Sequence, residues 1–192
     1  MNRITAFSAL VLCTLAAGAY AAGRRTDEVV DRDVNQQQRI EQGLQSGQLN
    51  TREAGQLERQ ETRIDRTEAR DLKDGKLSPQ EQARINRMQN RTSARIAAQK
   101  HDGQTGNPDS RSSERMQTDV ARNARQEQRI DQGVENGTLT NREAGSLERG
   151  QARVDRREAA AASAGHVGPR EQAGVQRAEN HQSRRIHRRK AS

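Results

Sequence analysis

The chain has 192 residues, with 34 Lys and Arg against 26 Asp and Glu, four His and a formal net charge of +8. Phe7, Cys13 and Tyr20 are its only Phe, Cys and Tyr, and Trp is absent. Everything after residue 21 therefore lacks disulfides, thiolate chemistry, Cys-based zinc sites and aromatic platforms for bases or sugars.

In chain order, residues 1–21 read as a secretory signal peptide. Arg3 precedes an uncharged apolar run over 4–15, and Ala19-Tyr20-Ala21 has the A-x-A form that signal peptidase accepts. The run is shorter than the ~20 residues a membrane-spanning helix needs. Leu12 in front of Cys13 does not suit lipoprotein modification. The expected site of action is the periplasm, or the exterior, of a Gram-negative bacterium, with no membrane anchor after cleavage.

Beyond the signal, Val, Ile, Leu and Met make up about 13% of the residues, below the roughly 20% that marks disorder. The rest is rich in Gln, Arg, Glu and Ala, which favour helices. An all-α, coiled-coil-like fold with a thin core is expected, with self-association as one way to stabilise it. Residues 22–31 lack periodicity and are expected to be flexible.

Residues 32–101 and 118–192 are expected to be two copies of one helical repeat, offset by 90 residues. Arg39-Ile40-Glu41-Gln42-Gly43 faces Arg129-Ile130-Asp131-Gln132-Gly133, and Arg52-Glu53-Ala54-Gly55 faces Arg142-Glu143-Ala144-Gly145. Nearly half of about 70 aligned positions are identical, without a gap. Residues 102–117, with Gly103, Gly106 and Pro108, have linker composition.

Each copy is cut by two recurrent turns. Gly47, Gly75, Gly137 and Gly165 fall where a helix ends in a left-handed residue. Asn50, Ser78 and Thr140 then stand as N-caps, and Glu53, Glu81, Glu143 and Glu171 occupy the third helical position of a capping box. Pro79 and Pro169 take the first helical position. These signals predict helices over 30–45, 51–73, 79–99, 119–135, 141–163 and 169–189, an antiparallel three-helix unit made twice. The Gly75–Leu77–Glu81 spacing also matches the second half of a calcium loop. Arg70 and Leu72 stand where that loop needs its first oxygen ligands, as do Gln42 and Leu44 in the first turn, so calcium is not expected there.

On a helical wheel, Ala54, Leu57, Ile64 and Leu72 share one face with Glu61 and Glu68, bordered by Glu58 and Asp65. The third helix carries Arg84, Arg91 and Arg95 beside its apolar face. The expectation is that acids of the middle helix pair with arginines of the third. Glu61 becomes Gln151 in the second copy, so no catalytic residue is assigned. His101, His166, His181 and His187 are scattered, and the six-residue spacing of the last two does not place both on one face. No metal ligand or cofactor is assigned. Arg184, Arg185, Arg188, Arg189 and Lys190 crowd the C-terminus. They complement the helix dipole and form a candidate anion-binding patch.

Arg39-Ile40-Glu41-Gln42-Gly43 with Gly47-x-Leu49, and Lys73-Asp74-Gly75-Lys76-Leu77-Ser78-Pro79-x-Glu81, resemble a group of uncharacterised exported helical proteins of Gram-negative bacteria. Leu139-Thr140-Asn141-Arg142-Glu143 and Leu77-Ser78-Pro79-Gln80-Glu81 more weakly resemble the L-T-x-x-Q helix start of the Spy and CpxP periplasmic chaperones, with Glu in place of Gln. That second resemblance implies a small helical protein acting on other proteins. The leading expectation is thus a non-enzymatic periplasmic protein that binds protein clients, of stress or holdase type. The alternative is a binder of anionic envelope surfaces, lipid or lipopolysaccharide, through its arginines. A metal-responsive scavenger is third. Nucleic acid is not an expected partner, because the signal peptide places the chain elsewhere.

Overall fold

The computed structural model describes residues 11–191, with side chains from residue 24 onward. The first ten residues of the expected export signal lie outside the described residues, and its remainder is described as backbone only. Six helices follow in order: α1 (Val11–Gln45), α2 (Thr51–Asp71), α3 (Pro79–Lys100), α4 (Arg111–Glu135), α5 (Asn141–Ala161) and α6 (Pro169–Lys190). The fold is all-α. No helix among the described residues is long and apolar enough to cross a membrane.

Local chemistry sets the helix starts. Asn50 accepts from the Glu53 backbone N–H while the Glu53 carboxylate accepts from the Asn50 N–H, and Ser78/Glu81 and Thr140/Glu143 do the same. At α6 the cap is Gly168, which has no side chain to offer. The turns before these caps hold Gly47, Gly75, Gly137 and Gly165 at φ of 72°, 84°, 75° and 79°, a region costly for a residue with a Cβ.

Two expectations are corrected. The segment 22–31, expected to be flexible, continues α1, and Thr26, Val29 and Val30 within it are fully buried. The expected linker 102–117 shrinks from its C-terminal side. Asn107 to Ser110 form a turn, Ser110 caps α4 by accepting from the Ser113 N–H, and Ser112, Ser113 and Met116 are buried. Gly106 donates its N–H to the Gly47 carbonyl at 2.8 Å, so the connection is docked on the first turn. Composition alone hides this, because small polar residues serve as caps as well as linkers.

The copies do not fold as separate units. α2 packs most extensively on α5, and α1 on α4. Both pairs are antiparallel: Gly55 near the start of α2 meets Ala162 just past the end of α5, and Gly145 meets Leu72 in the reciprocal arrangement. A Cβ on Gly55 would lie 2.5 Å from that of Ala162, and one on Gly145 would lie 2.6 Å from that of Leu72. Side-chain contacts also recur at the 90-residue offset. Arg32 bonds Asn90 as Arg122 bonds Asn180, and Arg39 bonds Ser93 as Arg129 bonds Ser183.

The resulting four-helix core, α1, α2, α4 and α5, is flanked by α3 and α6. Its apolar side chains gather at the two ends. One end holds Ile40, Leu44, Leu57, Met116 and Val120. The other holds Val30, Ile130 and Leu147 beside Val29, Ile64 and Leu72. Between them the same helical stripe carries charge.

Candidate cation centre

On α2, Glu58, Glu61, Asp65 and Glu68 follow the 3-4 spacing of the stripe that holds Ala54, Leu57, Ile64 and Leu72, and all are buried. On α5 the equivalent positions are Glu148, Gln151, Asp155 and Glu158, again buried. α1 adds Asp33, Gln36 and Gln37, and α4 adds Asn123, Gln126 and Glu127. Nine carboxylates (33, 58, 61, 65, 68, 127, 148, 155 and 158) are thus at most 2% exposed in the middle of the bundle. No Lys or Arg is buried among the described residues. The ion pairs Arg70–Asp71, Arg84–Asp71, Arg122–Glu179 and Arg189–Glu143 all lie outside this set.

The expected pairing of α2 acids with α3 arginines is therefore corrected. Among the described residues, the ion pair between an acid of α2 and an arginine of α3 is Asp71–Arg84, at the end of α2. Arg59, Arg63, Arg66 and Arg70 are exposed, and the stripe acids face other acids.

Oxygen atoms converge in two places. Glu58, Asp155 and Glu158 each bring one carboxylate oxygen within 4.8 Å of the others, and so do Asp65, Glu127 and Glu148. The 90-residue offset relates much of one group to the other: Glu58 corresponds to Glu148, and Asp155 to Asp65. In the first group, Gln37 donates to Glu58 at 3.1 Å, and Asn123 donates to Asp155 at 2.8 Å and to Glu158 at 3.1 Å. Gln151 donates to Asn123 at 2.7 Å. Beside the second, the carboxyls of Asp33 and Glu68 are hydrogen-bonded to each other, and Glu68 also feels Glu148 and Glu127. Asp65 and Asp155, equivalent residues of the two copies, hydrogen-bond across the junction between the groups.

Burial dominates the electrostatics. It raises Asp33 to about 7, Glu58 to about 8 and Asp155 to about 6. Glu61, Asp65, Glu68, Glu127, Glu148 and Glu158 are pushed well above the carboxylate range, by burial first and by neighbouring carboxylates second. Nine such groups cannot all ionise together, since each isolated buried charge costs several kcal/mol. They are neutralised either by protons or by cations.

Hydrogen bonding leaves room for the second. Both oxygens of Glu61 and Glu148 have no hydrogen-bond partner, Glu68 meets only the carboxyl of Asp33, and Gln37 Oε1 and Gln151 Oε1, which are not acidic groups at all, accept from no amide or hydroxyl. A buried acceptor without a donor costs about 1–3 kcal/mol, which either the O–H of a protonated neighbouring carboxyl or a bound cation offsets. An ion that holds oxygens at about 2.3–2.6 Å places opposite ligand atoms up to about 5 Å apart, a span that the two groups do not exceed.

The residues singled out in the sequence lie elsewhere. The turn and cap residues stand at the helix ends, outside the acid clusters. The basic tail is divided over two sides of α6. Arg185 donates to Ser146 of α5 and Arg189 pairs with Glu143, while Arg184 and Arg188 line a shallow depression with Arg129 of α4. Lys190 donates to the Arg129 carbonyl. A cleft of about 320 Å³ between α5 and α6 brings together Arg153, Arg156, Arg157, Arg177, His181 and Arg185, a grouping that sequence proximity does not show.

No protein-family model, curated protein or solved structure matches the chain.

Proposed function

We propose that this protein binds hard, oxygen-preferring metal cations in the acidic middle of its four-helix core. The observation that carries the reading is the convergence of buried carboxylate oxygens from three helices into two groups within 4.8 Å, with no buried Lys or Arg beside them. The donor set is all oxygen, which suits calcium, manganese, iron(III) or lanthanide ions over zinc or copper. Three arginine-lined clefts among the described residues hold no carboxylate of the two groups. A buried site of this kind suits holding an ion rather than turning over a substrate, so the reading keeps a non-enzymatic role. The expected export signal would place that role in the bacterial envelope.

The expectation of protein-client binding is less supported. From residue 24 onward, where side chains are described, no Val, Ile, Leu or Met is exposed, and a holdase needs an apolar surface to offer. The anionic-surface reading has a specific observation behind it, the arginine cleft between α5 and α6. Burial and the surrounding arginines, Arg153 first, lower Arg185 from its ordinary value, so the cleft gathers positive charge that an anion would relieve.

Calorimetry and thermal melting of chelator-stripped protein test the cation reading. Adding calcium, manganese(II) or lanthanum(III) is expected to raise Tm and release protons. No heat and no shift in Tm with any of the three would overturn it. For the arginine cleft, binding to anionic vesicles is expected to weaken with salt and with Arg153→Gln plus Arg177→Gln. Salt-independent binding, unchanged in that variant, would remove the second reading.

A further inference from the structure

Resting on the anion reading of the arginine cleft, we infer that the seam between α5 and α6 is a binding site for a small phosphate-bearing anion, cleared in the second copy and filled in the first. The ten residues lining the cleft include five arginines and His181, and no Asp or Glu. None of these arginines takes part in an ion pair among the described residues. The charge gathered there has no counter-charge of its own.

The duplication shows what made the space. At the 90-residue offset, Gly150 stands where the first copy has Gln60, Gly174 where it has Arg84, and Ala178 where it has Met88. Three large side chains have thus given way to small ones on the walls of one cleft. Gly weakens a helix interior, yet both glycines lie inside α5 and α6. The compensating acid has gone as well. In the first copy Arg84 crosses the seam to pair with Asp71 at the end of α2, and the position equivalent to Asp71 is Ala161. One change adds charge instead: Thr67 of the first copy corresponds to Arg157.

Guanidiniums occupy the edges of the cleared space. Over Gly174, Arg157 of α5 and Arg177 of α6 each bring a nitrogen to within 4.0 Å of where a Cβ would stand. At Gly150 a Cβ would collide with Gln182 Oε1 and Arg185 Nη1. Gln182, 1% exposed, donates to the Leu147 carbonyl at 2.9 Å and accepts from Arg185 at 3.3 Å. Arg185 also donates to the Ser146 carbonyl at 2.9 Å. One half-buried guanidinium is therefore fixed between the helices, with Arg153, Arg156, Arg157 and Arg177 exposed around it.

The ligand follows from this donor set. A guanidinium meets an oxyanion through two parallel N–H bonds, so guanidiniums from two helices call for several oxygens and more than one charge. A phosphate monoester carries about −1.5 to −2 at pH 7 and three acceptor oxygens, whereas a carboxylate has one charge and two oxygens. The cleft, about 320 Å³, is at the small end of the roughly 300–1,000 Å³ of ligand pockets. It has room for one phosphorylated group rather than an extended polymer.

Calorimetry of metal-free full-length protein with sodium pyrophosphate tests this, and a single site is expected. Two double variants carry the same loss of charge: Arg153→Gln with Arg177→Gln in the cleft, and Arg63→Gln with Arg87→Gln at the equivalent positions of the first copy. The first is expected to weaken pyrophosphate binding at least about 10-fold, as lost charge-assisted bonds imply, and the second less than about 2-fold, since screening mutes distant charges. Gly150→Gln with Gly174→Arg restores the side chains of the first copy and raises the net charge by one, yet is expected to weaken binding as much as the cleft pair. Equal losses in the two charge variants, or a filled variant that binds as tightly as the parent, would overturn the inference in favour of attraction to a basic surface at large. The charge variants alter exposed side chains only, so they decide the matter even where the filled variant does not fold. Vesicles containing phosphatidic acid identify the source. Vesicle binding that pyrophosphate competes away assigns the cleft to a lipid headgroup, and pyrophosphate binding without vesicle binding assigns it to a soluble phosphate ester. Failure of both pyrophosphate and vesicles to bind would instead remove the anion reading beneath it.

Discussion

The two ends and the middle of the four-helix core use the same helical stripe for opposite chemistry. At the ends, Leu57, Ile40 and Met116, or Ile64, Leu72 and Val29, exclude water and hold the helices together. In the middle, Glu58, Asp65 and Glu68 occupy the next positions of the stripe and are buried just as fully. Burial is therefore no guide to what a position contributes. The ends supply cohesion by removing apolar area from water, roughly 25 cal/mol per Å². The middle spends part of that stability to keep oxygen atoms together.

The largest effect expected to separate the two regions is that of pH on metal-free protein. Asp33 is raised to about 7, Glu58 to about 8 and Asp155 to about 6. Their folded values exceed their unfolded ones, so the unfolded chain binds fewer protons above about pH 4, and stability falls as pH rises. The contribution is fully present below the ordinary carboxylate range and is lost by about pH 8. A series of melts from pH 4 to 8 is expected to show Tm dropping more than any single substitution below produces. Saturating cation is expected to flatten the profile. A metal-free Tm that rises over that range would mean the middle is ionised and solvated.

Truncation sharpens the contrast. Leu57→Ala, in the apolar end, is expected to cost about 2–5 kcal/mol in urea denaturation, with cation stoichiometry unchanged. Glu61→Leu should act in the opposite direction. Both Glu61 oxygens are buried without a partner, so an apolar replacement is expected to stabilise metal-free protein at pH 7.5 by about 1 kcal/mol or more. The smallest change is at a helix start remote from both regions. Ser78→Ala removes one half of the α3 capping box and is expected to cost about 1 kcal/mol.

Much of the fold was legible because it is written locally. Gly-x-Leu turns followed by Asn50, Ser78 and Thr140 mark helix boundaries within a few residues, since caps and left-handed glycines act over one turn of chain. The start of α4 was not legible, because Ser110 and Ser112 have the composition of a linker and serve as a cap and a buried contact. The acid centre was half legible. A wheel drawn on α2 alone puts Glu61 and Glu68 on the core face, yet it cannot say that α5 and not α3 lies opposite. Asp33, Gln37, Asn123 and Glu127 carry no signal until the two copies are paired across each other. The cue available in sequence was the pairing of Glu58-x6-Asp65-x2-Glu68 with Glu148-x6-Asp155-x2-Glu158, acids at core spacing in both copies.

The docked connection between α3 and α4 has a consequence for how the chain comes apart. Because α1 seeks α4 and α2 seeks α5, neither half owns a complete interior. A protease cut among residues 102–106 would sever the covalent path without separating the pieces. They should stay associated as a complementing pair, which either fragment alone could reproduce only by pairing with a second copy of itself. The tether's service is then to set the local concentration of one half around the other, and to fix that the first copy meets the second and not another copy of itself.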